Sequence, residues 1–306
     1  MMSGEALPAD RGGIATERIN SRSGNLHALG VRACVDLIAR EDRAVLDALE
    51  RASGSLAGLI GASEPGFCRG GRLISLGAGT SGRLAVLDAS EAPPTFQVDP
   101  GRVVGIIAGG DSALRVSSEE KEDDPRGTLG ELEALELTDD DTVLGLAAGG
   151  TTPYARGALA IAKELSAGCV TGLITCARVD PPAGCDHMIV LETGPEVVTG
   201  STRMKAGTAT KLALNTISTT LMIRSGRVYR NLMVDLRATN DKLRDRAARI
   251  VSTLTGLERE ASFELLSRAR GGVKAAVVMQ RLGVDVDEAE RRLAEAGGRL
   301  ERVIGD

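Results

Sequence analysis

The 306-residue chain is 42% hydrophobic and 26% charged, with a net charge of −5, no Trp, two Tyr and three Phe. That balance is ordinary for a globular protein of one large domain, or one plus a small appendage. Its acidity and scarcity of rings exclude a polyanion surface built on base stacking, so no nucleic-acid partner is expected.

Residues 1–15 are rich in Gly, Pro and Ala and read as a flexible extended lead. They lack a charged stretch followed by an apolar one, so no secretory leader is expected. In 16–70 the pattern is helical from Asn25 to about Leu59, with Leu29, Val35, Leu37, Ile38, Val45, Leu46, Leu49 and Leu56 on an apolar face. "ASEPGFCRGG" (62–71) is expected to break that helix through its Pro and Gly.

In 71–240 the rhythm changes. "RLISLGAG" (72–79), "RVVGIIAGG" (102–110), "DDTVLGLAAGG" (140–150), "CVTGLITC" (169–176) and "DHMIVLET" (186–193) are short apolar runs, several ending in glycines. Helical stretches alternate with them: "SGRLAVLDAS", "TTPYARGALAIAKELSA" and the long "STRMKAGTATKLALNTISTTLMIRSG" (201–226). The alternation predicts an α/β fold, a parallel sheet covered by helices on both faces, with ligands beyond the carboxyl ends of the strands. Residues 235–256 read as a charged amphipathic helix. The stretch 241–306 reads as a small helical C-terminal domain of about three short helices broken at Gly271-Gly272, Gly283 and Gly297-Gly298.

The five cysteines are odd in number and irregularly spaced, with no CxxC, and read as buried small hydrophobes. With only His27 and His187 beside them, no metal site is expected. No apolar run reaches the roughly 18 residues of a membrane span. A reduced cytoplasm is the expected compartment.

Three stretches are suited to an anion. Gly77, Gly79, Thr80, Ser81, Gly82 and Arg83 run from a strand into a helix; glycines let the backbone approach, and hydroxyls and helix N–H groups offer donors. Gly149, Gly150, Thr151 and Thr152 repeat the logic at another strand end. Ser201, Thr202, Arg203 and Lys205 open a helix; the bland reading is N-capping by Ser201 with solvated basic neighbours. The first loop satisfies GxGxxG spacing but lacks the acidic partner of a dinucleotide site, and no Walker loop is present.

Glu91 sits in "DASEAPP", about three turns beyond the first loop, where Pro93 and Pro94 are expected to end the helix. Glu119 sits in the acidic run "SSEEKEDD" (117–124), most of which reads as a solvated face. Spacing alone does not show that the two meet.

Together "TERINSRS" (16–23), "GAGTSGRLAVLDASEAPPTF" (77–96), "VVGIIAGG" (103–110), "TTPY" (151–154) and "GSTRMKAGTATKLALNTIST" (200–219) resemble the N-acetylmuramic acid 6-phosphate etherase family, of the sugar isomerase (SIS) superfamily. The resemblance implies a SIS-type sheet in 71–240, a helical C-terminal domain and a homodimer. It implies a sugar-phosphate substrate whose D-lactyl ether is cleaved by elimination and hydration, giving N-acetylglucosamine 6-phosphate and D-lactate, with no cofactor. It puts the acid on Glu91 and the base on Glu119, with Glu120 as the alternative. It puts substrate and phosphate contacts on Gly79, Thr80, Ser81, Gly82, Arg83, Gly150, Thr151, Thr152, Ser201, Thr202 and Lys205. The family's second loop, Ser-Gly-Arg-Thr-Pro-Tyr, is Gly149-Gly150-Thr151-Thr152-Pro153-Tyr154 here, so a serine hydroxyl and an arginine are missing. Two other readings share the fold: a sugar-phosphate-binding regulator akin to glucokinase regulatory protein, and a sugar-phosphate isomerase.

Overall fold

The computed structural model describes residues 10–116, 121–236 and 240–305. Three helices lead in: α1 (Val31–Glu41), α2 (Arg43–Arg51) and α3 (Ser53–Arg69). The expected single helix is thus divided at Asp42 and Ala52, and the expected break within 62–71 comes from its glycines and not from its proline, since α3 runs through Pro65. Pro65 cannot donate to the Gly61 carbonyl. Both residues are exposed, so water can take the freed carbonyl. The helix ends only at Gly70, which adopts φ +116°.

The sheet follows. β1 (Leu73–Gly77) leads through α4 (Gly79–Phe96) to β2 (Val103–Ile107). A connection carrying α5 (Leu129–Ala134) reaches β3 (Thr142–Leu146), then α6 (Pro153–Leu165), β4 (Val170–Thr175), β5 (His187–Val190) and α7 (Lys205–Arg224). All pairings are parallel, in the order β2-β1-β3-β4-β5. Each strand lies inside one of the apolar runs picked out by sequence.

Alternate strand residues feed two cores. Leu73, Leu144 and Leu146 pack with Ala85 of α4 and Ala209, Leu214 and Ile217 of α7. Ile74, Leu76 and Val143 pack with Leu132 of α5 and Ala155, Leu159 and Ala162 of α6. The period of two therefore sorts α4 and α7 onto one face and α5 and α6 onto the other.

Helix α4 also departs from expectation: it continues through Pro93 and Pro94 to Phe96 and closes at Gln97, whose N–H bonds to the Pro93 carbonyl. The two prolines stand in its last turn, where the missing N–H groups cost only bonds to Ala89 and Ser90, and the rings impose a helical φ.

Beyond α7 lie a short antiparallel pair, β6 (Val228–Tyr229) and β7 (Leu232–Met233), which sequence reading did not pick out. Then come α8 (Asp241–Thr255), α9 (Arg259–Arg268), α10 (Val273–Leu282), α11 (Val286–Glu295) and α12 (Leu300–Ile304). These helices bury a cluster of their own with Tyr229, Val234 and Leu236. Arg227, between α7 and β6, donates through Nη1 to the carbonyls of Phe96 (3.2 Å) and Gln97 (2.8 Å) at the end of α4. All five cysteines are free; Cys169 and Cys176 are buried as expected, while Cys68 is exposed.

Candidate active site

The connections out of β1 and β3 turn to opposite faces of the sheet, which opens a crevice between their carboxyl ends. The first and second glycine loops stand there, with Gly77 paired to Leu146 across the strand ends. Helix α4 starts at this point. Its N-cap is Ala78, which has no side-chain acceptor, and Gly79 takes φ +52°. Among the described residues, the N–H groups of Gly79, Thr80 and Ser81 and the hydroxyls of Thr80 and Ser81 have no hydrogen-bond partner. An 18-residue helix with uncapped N–H groups and an aligned dipole is a ready anion site. Gly82 has another role. A methyl on it would stand 2.5 Å from the Gly77 carbonyl and 2.6 Å from Ile107, so it lets α4 lie close on β1 and β2.

The start of α7 is closed by contrast. Glu196, fully buried, accepts from the N–H groups of Lys205 (3.1 Å) and Ala206 (2.8 Å). Burial pushes its carboxyl up, and these two N–H bonds pull it back in part. The N–H groups of Gly207 and Thr208 bond to the carbonyls of Thr202 and Met204. The expected N-cap, Ser201, does not cap the helix. Lys205, expected at the phosphate, is instead wholly buried, its ammonium bound to Glu41 (3.1 Å) and the Pro195 carbonyl (2.7 Å). Ser201 and Thr202 keep unpartnered hydroxyls among the described residues, as do Thr151 and Thr152. A methyl on Gly207 would touch the Thr80 methyl at 3.4 Å, which brings the start of α7 beside the start of α4.

The chain on either side of residues 117–120 is tied to this crevice. Upstream, the Arg83 guanidinium donates to the carbonyls of Ala113 (2.8 Å) and Leu114 (3.1 Å). Arg83 thus braces the approach to the run. Downstream, the Glu122 carbonyl accepts from the Tyr154 N–H (3.0 Å) in the first turn of α6. Glu119 and its alternative Glu120 lie between these anchors and outside the described residues. In the second loop, Gly150 takes φ +74° and its carbonyl accepts from Arg156 (2.9 Å).

Glu91 stands apart. It is exposed on α4, ten residues past Ser81, or about 15 Å along the axis at helical rise. A shallow cleft between α4 and α7 joins it to Asp88, Lys211 and Asn215. Asp88 accepts from Ser218 at 3.0 Å through one oxygen, and the other is buried without a partner among the described residues. Burial pushes the Asp88 carboxyl up, Ser218 pulls it back in part, and the negative charge of Glu91 pushes it up again. The structure therefore gathers the three loops and the chain that flanks residues 117–120, and leaves Glu91 outside that gathering within one chain.

The N-terminal block also belongs here, although sequence reading gave it no role. Thr16 lies over Gly149 and Glu17 beside Gly200. Glu41 and Glu196 were missed as well: Glu41 meets Lys205 from 164 residues away, and Glu196 caps α7 from a loop nine residues before Lys205, outside the usual N-cap spacing.

Comparison with known proteins decides the family. The chain is 48% identical to an N-acetylmuramic acid 6-phosphate etherase of Synechococcus sp. (strain CC9605) over 94% of this chain and 90% of the relative. It is 48% identical to one from Gloeobacter violaceus (97% and 96%) and 44% identical to one from Deinococcus radiodurans (95% and 95%). The chain belongs to the N-acetylmuramic acid 6-phosphate etherase family. Two family models match within it: the glucokinase regulatory protein N-terminal SIS domain over residues 60–163 and that protein's C-terminal lid domain over residues 230–281. Among solved structures it is similar to the sugar isomerase domain of an RpiR transcription factor from Sphaerobacter thermophilus, at 21% identity and TM-score 0.37, over 60% of this chain and 91% of that one. For an etherase of this family, the departures at Gly149 and Thr151 fall in the crevice itself, where the second loop faces the N-terminal block.

Proposed function

We propose that this chain is a cytoplasmic etherase that splits the D-lactyl ether of N-acetylmuramic acid 6-phosphate, giving N-acetylglucosamine 6-phosphate and D-lactate. The phosphate sits at the open start of α4, on the N–H groups of Gly79–Ser81 and the hydroxyls of Thr80 and Ser81. In the open-chain sugar the C3 ether oxygen is β to the C1 aldehyde, which acidifies the C2 proton. Glu119 removes that proton as base. The C3–O bond breaks, and the protonated carboxyl of Glu91 delivers its proton to the departing lactate oxygen. Water then adds at C3 of the unsaturated aldehyde with the two roles reversed. Holding the phosphate fixes C2 and C3 against both carboxyl groups.

The observation that carries this reading is the tie of the chain on either side of residues 117–120 to both glycine loops, through Arg83 and Tyr154, beside an uncapped helix start. The position of Glu91 adds a condition. Its offset of about 15 Å from Ser81 exceeds the reach of a hexose 6-phosphate from phosphorus to C3. The chain therefore works as a homodimer in which Glu91 of one copy serves the substrate held by the other. Leu87, one turn before Glu91 and 43% exposed, gives that surface an apolar element suited to a partner.

The test is co-expression of Glu91→Gln with Ser81→Glu. The second variant puts a carboxylate at the anion site while keeping a residue that suits a helix start. Each alone releases no lactate. Randomly paired, they recover about a quarter of wild-type activity, because half the dimers carry one intact site of two. No lactate from wild type, or ketose phosphate as product, sinks the etherase reading; no recovery on mixing sinks the shared site.

A further inference from the structure

The block "TERIN" (16–20) has no part in the chemistry above, yet it carries an unusual group. Thr16 is fully buried, and its Oγ1 has no hydrogen-bond partner among the described residues. A buried hydroxyl left unpaired is unfavourable, and such groups persist where they have a use. Thr16 lies over the second loop. A methyl placed on Gly149 would stand 3.6 Å from Thr16 Oγ1 and 3.8 Å from Thr151 Oγ1. Two unpartnered hydroxyls therefore converge on the space that a side chain at Gly149 would fill.

The segment that carries Thr16 is fixed in place. Asn20 donates to Glu41 (2.8 Å) and to the Pro195 carbonyl (3.3 Å), and Ser23 donates to the Val197 carbonyl (2.8 Å). These bonds hold the block between the end of α1 and the approach to α7, so the hydroxyl is positioned before any ligand arrives.

We propose that Thr16 is a substrate-binding residue. From the N-terminal segment it supplies the hydroxyl that the second loop lacks at Gly149, donating to a phosphate oxygen of the sugar beside Thr151. The inference rests on the phosphosugar reading above and names a further group in that site. Glycine at 149 is part of the arrangement: it leaves the space in which a phosphate oxygen reaches both threonines.

Calorimetric titration of the full-length protein with N-acetylglucosamine 6-phosphate tests this without turnover. Thr16→Val keeps the shape and removes the hydroxyl; affinity falls about tenfold or more, the loss of one hydrogen bond to a charged acceptor. Thr16→Ser binds like wild type. Thr16→Val with Gly149→Ser recovers most of the loss, since the serine hydroxyl occupies the same space. The ligand-free Thr16→Val protein melts no lower than wild type, because an unpaired buried group has gone. Unchanged affinity in Thr16→Val overturns the proposal, as does a loss that Thr16→Ser shares or that follows a fall in melting temperature. If wild type binds the phosphosugar but releases no lactate, the etherase reading fails and the Thr16 test still stands. If wild type binds no phosphosugar, both fall.

Discussion

Replacing Glu41 with glutamine removes the charge on which three side chains converge. Arg22 and Asn20 reach it from the N-terminal segment, and Lys205 reaches it at 3.1 Å from the start of α7. Side-chain exposure is 5% for Glu41, 0% for Lys205 and 63% for Arg22. The Arg22 hydrogen bond, followed by those of Asn20 and Lys205, overcomes burial and holds the Glu41 carboxyl at about 2, against 4.5 for a free glutamate. At about 1.4 kcal/mol per pH unit, that gap corresponds to about 3 kcal/mol, somewhat less once solvent screening of the exposed Arg22 is allowed for. A second route gives a similar figure. Removing one partner of a buried ion pair strands the other, here the Lys205 ammonium, at a cost of about 3–5 kcal/mol. Glu41→Gln should therefore lose about 3 kcal/mol at pH 7, read by urea unfolding with far-UV circular dichroism. The sign with pH follows from the depressed value. The stabilisation is fully present above about pH 4.5 and is lost as pH falls toward 2, so the gap between wild type and variant narrows at pH 3. Adding Lys205→Met to Glu41→Gln should return most of the loss, because no charge is then stranded. A Glu41→Gln protein within about 0.5 kcal/mol of wild type would refute the reasoning, since it would lie far below the buried-pair range. So would a gap that widens at pH 3, or a Lys205→Met change that adds to the loss.

Two further outcomes follow from the braces of the acidic run. Arg83→Met frees the carbonyls of Ala113 and Leu114, and the lactate-release rate at saturating substrate should fall about a hundredfold if the proposed base is misplaced with them; an unchanged rate would detach Arg83 from that role. Gly157→Ala puts a methyl 1.8 Å from the Pro125 carbonyl, so α6 and the chain after the acidic run must separate. The expected cost is about 2–3 kcal/mol in thermal or urea unfolding, together with reduced lactate release; wild-type stability would contradict the packing.

The sheet was legible because strands buried on both faces read as apolar runs, and at β1 and β3 the next glycines mark the turn into a helix. The two loops of the crevice followed directly. Pro65 and Pro93-Pro94 did not break their helices, because the proline rules concern the local bond and not where the freed carbonyl points. At Pro65 that carbonyl belongs to exposed Gly61, and at Pro93-Pro94 the helix was about to end anyway. Lys205 was assigned to phosphate by its charge and its place near a helix start. Its real partner, Glu41, is 164 residues away, and no spacing rule reaches that far. The cap from Glu196 was hidden for a related reason, since it comes from a loop nine residues upstream. Thr16 was visible only as part of a resembling block; its burial and its place over Gly149 are facts of packing.

The clasp of Arg227 on the last carbonyls of α4 gives that helix a fixed cation at its negative end. Its positive end, at Gly79–Ser81, has no matching anion among the described residues. The rod is thus half balanced among the described residues, and the phosphate proposed above would complete it. Because Arg227 is also the root from which the C-terminal helices spring, the far end of this rod is the footing on which they stand.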